Sequence, residues 1–268
     1  MAREGARTSF LRVVYESMKV QCAYSFQHGN TIFVSLIQPV MFTLGIGMMF
    51  RAGGNPDLIG SAALGSGLMG VWNSNVVASG RTLETERSQQ TLDLLLVSPT
   101  PAFVVVAGKA LFNAFLSLVS IALSYLSCIL VFHITPSVGN PVLFALVVVG
   151  LALSVWGMGL VMASGFLLSP NNRRMIELLN YPVYLLGGFV VPLSSLPYPV
   201  RILGHLIPLS WASEVLGASA DYSPGAAMRP DIALVALFVL AGFYSVLARR
   251  LFGAVERRYR NNGGLDQV

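Results

Sequence analysis

Residues 81–101 read RTLETERSQQTLDLLLVSPTP, the longest polar interval between hydrophobic segments in the first two thirds of the chain. A nearly uncharged apolar segment precedes it and another follows. A charged interval between two bilayer spans must lie in water on one side of the membrane. The stretch predicts a helix: Thr82 can cap it, Glu84 and Glu86 stand in its first turns near the positive end of the helix dipole, and Pro99 and Pro101 end it. Its first half is almost entirely polar. Its second half carries Leu92, Leu95 and Leu96 at helical spacing, a stripe able to fold back on its own protein or to meet another.

Composition supports the membrane setting. The 268 residues are 54% hydrophobic and 11% charged, with mean hydropathy +0.68, whereas soluble domains carry about 25% charged residues. The net charge of +5 is a topology signal here. No basic stripe is interleaved with stacking aromatics, so nucleic acid is not an expected partner. Cys22 and Cys128 cannot form a disulfide framework and read as small hydrophobes. The first long apolar run begins near Thr31 and continues to Phe50, too late and too long for a cleaved leader, so it is expected to remain as an anchor.

Six spans follow from the hydrophobic runs, at residues 31–50, 58–80, 103–132, 142–168, 175–191 and 232–252. The first is interrupted by Gln38 and Pro39, tolerable where a neighbouring helix re-satisfies the freed carbonyl. The second is rich in small residues (Ser61, Gly65, Ser66, Gly70), and Gly150, Gly157, Gly159 and Gly165 mark the fourth for close packing. Residues 8–28 place Leu11, Val14, Tyr15, Met18 and Cys22 on one face beside a polar stripe of Arg12, Glu16 and Lys19. That pattern predicts an interfacial helix lying in the membrane plane. Residues 192–229 are apolar but broken by Pro192, Pro197, Pro199 and Pro208 into pieces of re-entrant length. No internal repeat is visible. The whole chain reads as a single all-α membrane domain, residues 1–268.

Of 17 lysines and arginines, only Arg51, Arg201 and Arg229 fall on one side of this topology. The excess of positive charge therefore puts both termini, residues 81–101 and the turn at residues 171–174 in the cytoplasm, and residues 192–229 outside. Nothing ionisable lies deep in a span, since Lys109 and Glu177 sit near cytoplasmic ends where snorkelling costs little. This argues against an ion-coupled carrier or a charged-ring pore. His28, His133 and His205 lack metal-ligand spacing. Gly108 and Lys109 superficially suggest a phosphate loop, but Ala110 stands where Ser or Thr is needed and Phe103 where the first glycine belongs. An energy source would have to come from a partner.

Glu86 and Arg87, then Thr91, Leu92, Asp93, Leu94, Leu95, Ser98 and Pro99, resemble the coupling-helix signature of the type-two ATP-binding-cassette exporter permeases. In that family a Glu-Arg pair is followed by Gly-Thr, an acidic residue, a Leu-Leu pair and Thr-Pro. Here Gln90 replaces the glycine, which would relax the helix, and Ser98 the threonine. Residues 189–216, FVVPLSSLPYPVRILGHLIPLSWASEVL, are similar to the family's external re-entrant hairpin before the last span, through Pro192, Leu193, Leu196, Pro197, Pro208, Leu209, Ser210 and Trp211.

The resemblance implies a fold of six transmembrane helices with an amphipathic amino-terminal interfacial helix, a cytoplasmic coupling helix and an external re-entrant hairpin. It also implies a prokaryotic plasma-membrane permease paired with a second permease chain, like or unlike, and with separate ATPase subunits that hold ATP and magnesium. This chain would carry no cofactor and no catalytic residue. Its expected cargo is a drug, antibiotic, lipid or lipid-linked glycan. Leu83, Glu84, Glu86, Arg87, Gln90, Thr91, Leu92 and Leu95 are the expected ATPase contacts. Pro192, Leu193, Pro197, Pro208, Leu209 and Trp211 are the expected external gate. Asn73, Asn75, Asn113 and Asn180 either line the path or hold helices together. A non-transporting scaffold or sensor subunit, and an ATP-independent channel or carrier, remain the alternatives.

Overall fold

The computed structural model describes residues 2–98, 100–134, 141–167, 172–188, 196–219 and 230–262, and every regular element among them is helical. The order is α1 (Ala2–Gln27), α2 (Gly29–Ile32), a π-helical stretch Phe33–Ile37, α3 (Gln38–Ala52), a 3-10 turn Pro56–Leu58, α4 (Ile59–Val71), a second π stretch Trp72–Val77, α5 (Ala78–Ser88) and α6 (Leu92–Val97). There follow α7 (Ala102–Ser127) with a π-helical end Cys128–Phe132, α8 (Pro141–Leu167), α9 (Asn172–Leu186), α10 (Tyr198–Gly204), α11 (Pro208–Ser219) and α12 (Pro230–Asn262).

Among the described residues, four helical stretches are long and apolar enough to cross a membrane: Phe33–Ala52, Ala102–Phe132, Pro141–Gly165 and Asp231–Val255. Each carries exposed hydrophobics, among them Met41, Met48 and Met49 on α3, Phe115 and Leu130 on α7 and its end, and Val235, Val239 and Phe243 on α12. Apolar exposure on this scale suits lipid rather than water.

The helix expected as the second span is the most enclosed and the least greasy. From Ile59 to Val77 every residue except Ser61 is buried, against α3, α7, α8 and α11. A helix that meets protein on every side needs small residues for close approach more than it needs hydrophobicity. At Gly70 a Cβ would stand 2.7 Å from both Pro39 Cγ and Ser120 Cβ. α9 is only 15 residues, about 22 Å at helical rise, with Pro182 inside it.

α1, expected as an interfacial helix, packs against α7. Val14 and Ser17 abut Gly108 of α7, where an added Cβ would lie 2.7 Å from the Val14 carbonyl oxygen, and one to two turns on Gln21 bonds Asn113. These contacts advance together along both chains, so α1 runs beside α7 in the same direction. Its buried row is Ser17, Gln21 and Ser25, while Leu11 and Tyr15 of the apolar face are exposed. In a bilayer the apolar face of a peripheral helix can meet lipid and its small polar face can meet protein, which reverses the soluble pattern. Of the glycines expected to mark close packing in α8, Gly150 and Gly157 meet α12 and Gly159 meets the central helix, but Gly165 faces open space.

Pro39 behaves as expected. It lacks the N–H that would serve the Ser35 carbonyl, and the π turns lie just ahead of it, where helices absorb such irregularities. Ser120 of α7 donates its hydroxyl to that carbonyl. Ser120→Ala should therefore destabilise the folded chain by about 1 kcal/mol. In a Pro39→Ala background, where a local N–H is restored, the cost should shrink; reversible unfolding in detergent measures both.

Candidate functional site: the turn after α5 and the cleft beside it

The stretch expected as one helix is two, joined by a sharp turn. α5 continues the enclosed helix without a break, so Thr82 caps nothing and its hydroxyl bonds back to the Ala78 carbonyl at 3.3 Å. α5 stops at Ser88. Gln90 N–H reaches the Arg87 carbonyl at 3.1 Å and Thr91 N–H the Glu86 carbonyl at 3.0 Å, the paired bonds of a Schellman motif. That motif needs a left-handed residue, and Gln90 supplies it at φ +58°. The position where glycine was expected is thus the helix terminator, not a point of relaxation within a helix.

Two leucines root the turn. Leu83 and Leu92, expected as partner contacts, are only 2% and 3% exposed. They pack with Val106, Ala107, Leu160, Ala248 and Phe252, with Leu95 half-buried beside them. Phe103 meets Phe252 edge-on at 5.6 Å, and Trp156 donates its indole N–H to the Ala107 carbonyl at 3.0 Å. What the turn turns outward is Arg87, Ser88, Gln89, Gln90, Leu94 and Val97, the last two 73% and 75% exposed. Glu84 is half-buried.

Glu86 does not point outward. One carboxylate oxygen accepts from the Lys109 ammonium of α7 and the other from the Thr91 hydroxyl. The side chains of Lys109 and Glu86 are 11% and 13% exposed. Lys109, which sequence marked only as a snorkelling charge, is therefore the far half of an ion pair that fixes the turn to α7. A strong sequence signal was lacking, because the partners lie 23 residues apart. Gly108 and Lys109 are interior residues of α7, a rigid helix and not a loop that could wrap a phosphate.

Between α1 and α5, over α7, lies a cleft of about 720 Å³. α5 lines it with Ala78, Arg81, Thr82, Thr85, Glu86 and Gln89, and α1 with Val13, Glu16, Ser17, Val20, Gln21 and Tyr24. Both rows have the three-and-four spacing of one helical face.

All four asparagines form hydrogen bonds between helices. Asn73 donates to the Tyr184 hydroxyl at 3.1 Å, and Asn180 accepts from the Trp72 indole N–H at 2.8 Å. Asn113 accepts from Gln21 and donates to Ser79, both at 3.2 Å, joining α1, α7 and α5. Asn75, in the amide orientation that satisfies both its ends, donates to the Val155 carbonyl and accepts from the Ala114 N–H. Asn73 alone of the four lines the cleft.

The hairpin before α12 is described from residue 196. Pro192 and Leu193 lie outside the described residues. Pro197 precedes α10, Pro208 opens α11, Leu209 is fully buried in the main core, and Trp211 stacks on His205 at 4.7 Å while donating to the His205 carbonyl. Burial, then the Arg201 charge, holds His205 below the usual imidazole range. Burial raises the Glu214 carboxyl, with Arg201 pulling the other way. Tyr244 of α12 clasps the turn by donating to the Leu206 carbonyl at 2.6 Å.

Two outcomes test the construction of the turn. Lys109→Met strands the Glu86 carboxylate in a nearly dry site and should cost about 3–5 kcal/mol, most of it recovered by adding Glu86→Leu; unfolding in detergent reads the cycle. Gln90→Gly removes the left-handed penalty of about 1 kcal/mol, so hydrogen exchange at the Thr91 amide should slow several-fold.

The sequence matches the family described as ABC-2 type transporter over residues 17–219, which takes in the enclosed helix, the turn, the cleft except for Arg12, Val13 and Glu16, and the chain up to the end of α11. It is 28% identical over 142 residues to "Probable multidrug ABC transporter permease YbhR" of Escherichia coli strain K12, and equally to the protein of that name from Escherichia coli O157:H7. The aligned stretch is 52% of this chain and 38% of each relative, well under two thirds of their length. With a family match across most of its residues, the chain belongs to the ABC-2 type transporter family.

Proposed function

We propose that this chain is the export permease subunit of a transporter driven by separate ATPase subunits, acting with a second permease chain in a prokaryotic plasma membrane. Its six spans keep both termini in the cytoplasm, with the excess of lysines and arginines on that side supporting the orientation. The cargo is hydrophobic or amphipathic, a drug, antibiotic, lipid or lipid-linked glycan, and the word multidrug in the relatives' name favours the first of these.

The observation that carries the reading is the turn at Gln90. It offers a partner a compact outer surface, basic at Arg87 and apolar at Leu94 and Val97, yet it is rooted in the bundle by Leu83, Leu92 and the Glu86–Lys109 pair. Of the residues expected as ATPase contacts, Arg87 and Gln90 make direct contact in this reading. Glu84, Thr91 and Leu95 flank that surface, while Glu86, Leu83 and Leu92 support it from within. The hydrolysis cycle of the partner moves this surface, and the rooted turn passes the displacement to α7 and α12. At the opposite end, Pro197, Pro208, Leu209 and Trp211 form the external gate, together with Pro192 and Leu193.

Arg87→Glu combined with Leu94→Ser tests this. The double variant should reach the membrane in normal amount but lose at least tenfold in substrate-stimulated ATP hydrolysis by the reconstituted complex. Unchanged stimulation would remove the turn from the coupling route. Copurification of the ATPase with no stimulation by any amphiphile, even in the unaltered chain, would favour the scaffold alternative.

A further inference from the structure

We propose that the cleft between α1 and α5 is a binding site for an amphiphile with a phosphate head, seated with that head toward the turn and its tail toward the start of α3. The inference rests on the permease reading above and names the chemistry of what enters from the cytoplasmic leaflet.

The shape of the cleft comes first. It follows the enclosed helix from Asn73 to Gln89, about 24 Å at helical rise. Its volume of about 720 Å³ is in the range of sites for single small ligands. Its two ends differ in kind. Arg12, Glu16, Arg81, Glu86 and Lys109 line the end nearest the turn, whereas Val20, Tyr24, Val34 and Val77 line the other, interspersed with His28 and the uncharged polar side chains of Gln21, Thr31, Ser35 and Asn73. No carboxylate lies among the lining residues of the apolar end. Val20, Val34 and Val77 give a methylene chain apolar contact there, and the difference between a charged end and an uncharged one is what an amphiphile requires.

The charges decide the sign of the head. Glu86 is committed to Lys109, and Glu16 to Lys19 at 3.3 Å. Arg12 and Arg81 have no carboxylate partner among the described residues. Among the lining residues Arg12, Arg81 and Lys109 stand against Glu16 and Glu86, a surplus of one positive charge, and Arg81 is half-buried on a helix that continues straight into the core. A guanidinium leaving water calls for an anion, and its planar fork suits phosphate oxygens. The Lys109 ammonium lies on the floor of the same end, so a seated phosphate competes with Glu86 for it. Occupancy of the cleft would then act on the contact that fixes the turn.

The test uses the full chain, purified in a neutral detergent, with dodecyl phosphate as probe. Dodecyltrimethylammonium and inorganic phosphate serve as the two partial mimics, and native mass spectrometry with calorimetry as readouts. Dodecyl phosphate should bind at a single saturable site, with inorganic phosphate at millimolar concentration failing to displace it. Arg81→Gln should weaken that binding at least tenfold, and Val20→Trp, which fills the tail end, should also weaken it. Arg250→Gln, on the exposed face of α12, should leave it unchanged. Thermal melting of each variant separates lost binding from lost folding.

Equal binding of the ammonium probe would show partition into an apolar groove and overturn the proposal. Displacement by inorganic phosphate would show a site for the free anion with no role for a tail, and would also overturn it. Loss of self-association in Val20→Trp, with probe binding intact, would show that a second copy of the chain fills the cleft instead. None of these measurements needs the ATPase. A failure here therefore leaves the coupling test at Arg87 and Leu94 standing, and a failure there leaves this one standing.

Discussion

Everything in this molecule is arranged around a helix that lipid never touches. Residues 59–77 are closed in by α3, α7, α8 and α11. Their polar groups therefore have only the protein to bond with. Close approach at Gly70 brings Pro39 and Ser120 within van der Waals reach of its backbone. That same approach puts Ser120 where it can serve the carbonyl left idle by Pro39. Trp72, Asn73 and Asn75 follow on the π stretch, each bonded across a helix boundary. One bond of this kind is worth little by itself, of the order of 0.6 kcal/mol in membrane proteins. Their joint effect is to give α7, α8 and α9 one register against the centre, which apolar packing among small residues would leave loose.

Enclosure also explains what the sequence could and could not disclose. Hydropathy locates helices by their contact with lipid, so it finds α3, α7, α8 and α12 and is weakest for the helix that meets none. There the glycines, serines and asparagines were the better guide. The periodicity of α1 was legible, but its direction was not. A moment tells which residues share a face; in a membrane it does not say whether the apolar face turns to lipid or to protein. Ser17, Gln21 and Ser25 turned out to face inward. The turn shows a further limit. The Glu-Arg pair and the leucines marked the region, but only backbone geometry shows that Gln90 is left-handed and that Glu86 turns back to Lys109. The asparagine partners, 34 to 111 residues away along the chain, lie beyond any local pattern.

The ion pair of Glu86 and Lys109 has a cost that its position explains. Two charges withdrawn from water at 13% and 11% exposure gain little net stability over a pair of apolar residues of similar volume. Leucine and methionine would hold α5 against α7 about as firmly. What apolar residues cannot do is respond to a third charge. The cleft places Arg81 on its α5 wall and Lys109 on its floor, so an anion entering it meets a buried contact whose strength depends on charge.

On the proposed function, this joins two requirements that pull against each other. A turn that passes on a push must not bend. Leu83 and Leu92 meet that need because they sit in a packed core of α7, α8 and α12 residues, and packed cores shift between discrete arrangements rather than yield continuously. A turn that also registers what lies in the cleft must contain a contact that can be exchanged. Glu86 meets that need because its other oxygen is held by Thr91, three residues beyond the helix end, within the Schellman turn itself. Releasing Lys109 would leave the carboxylate tied to the turn alone and free α7 to move without it. The leucines make the joint stiff, and the ion pair makes its grip conditional on the occupant of the cleft. Stiffness and conditional grip therefore come from different residues on the two sides of one turn, and neither set can be exchanged for the other.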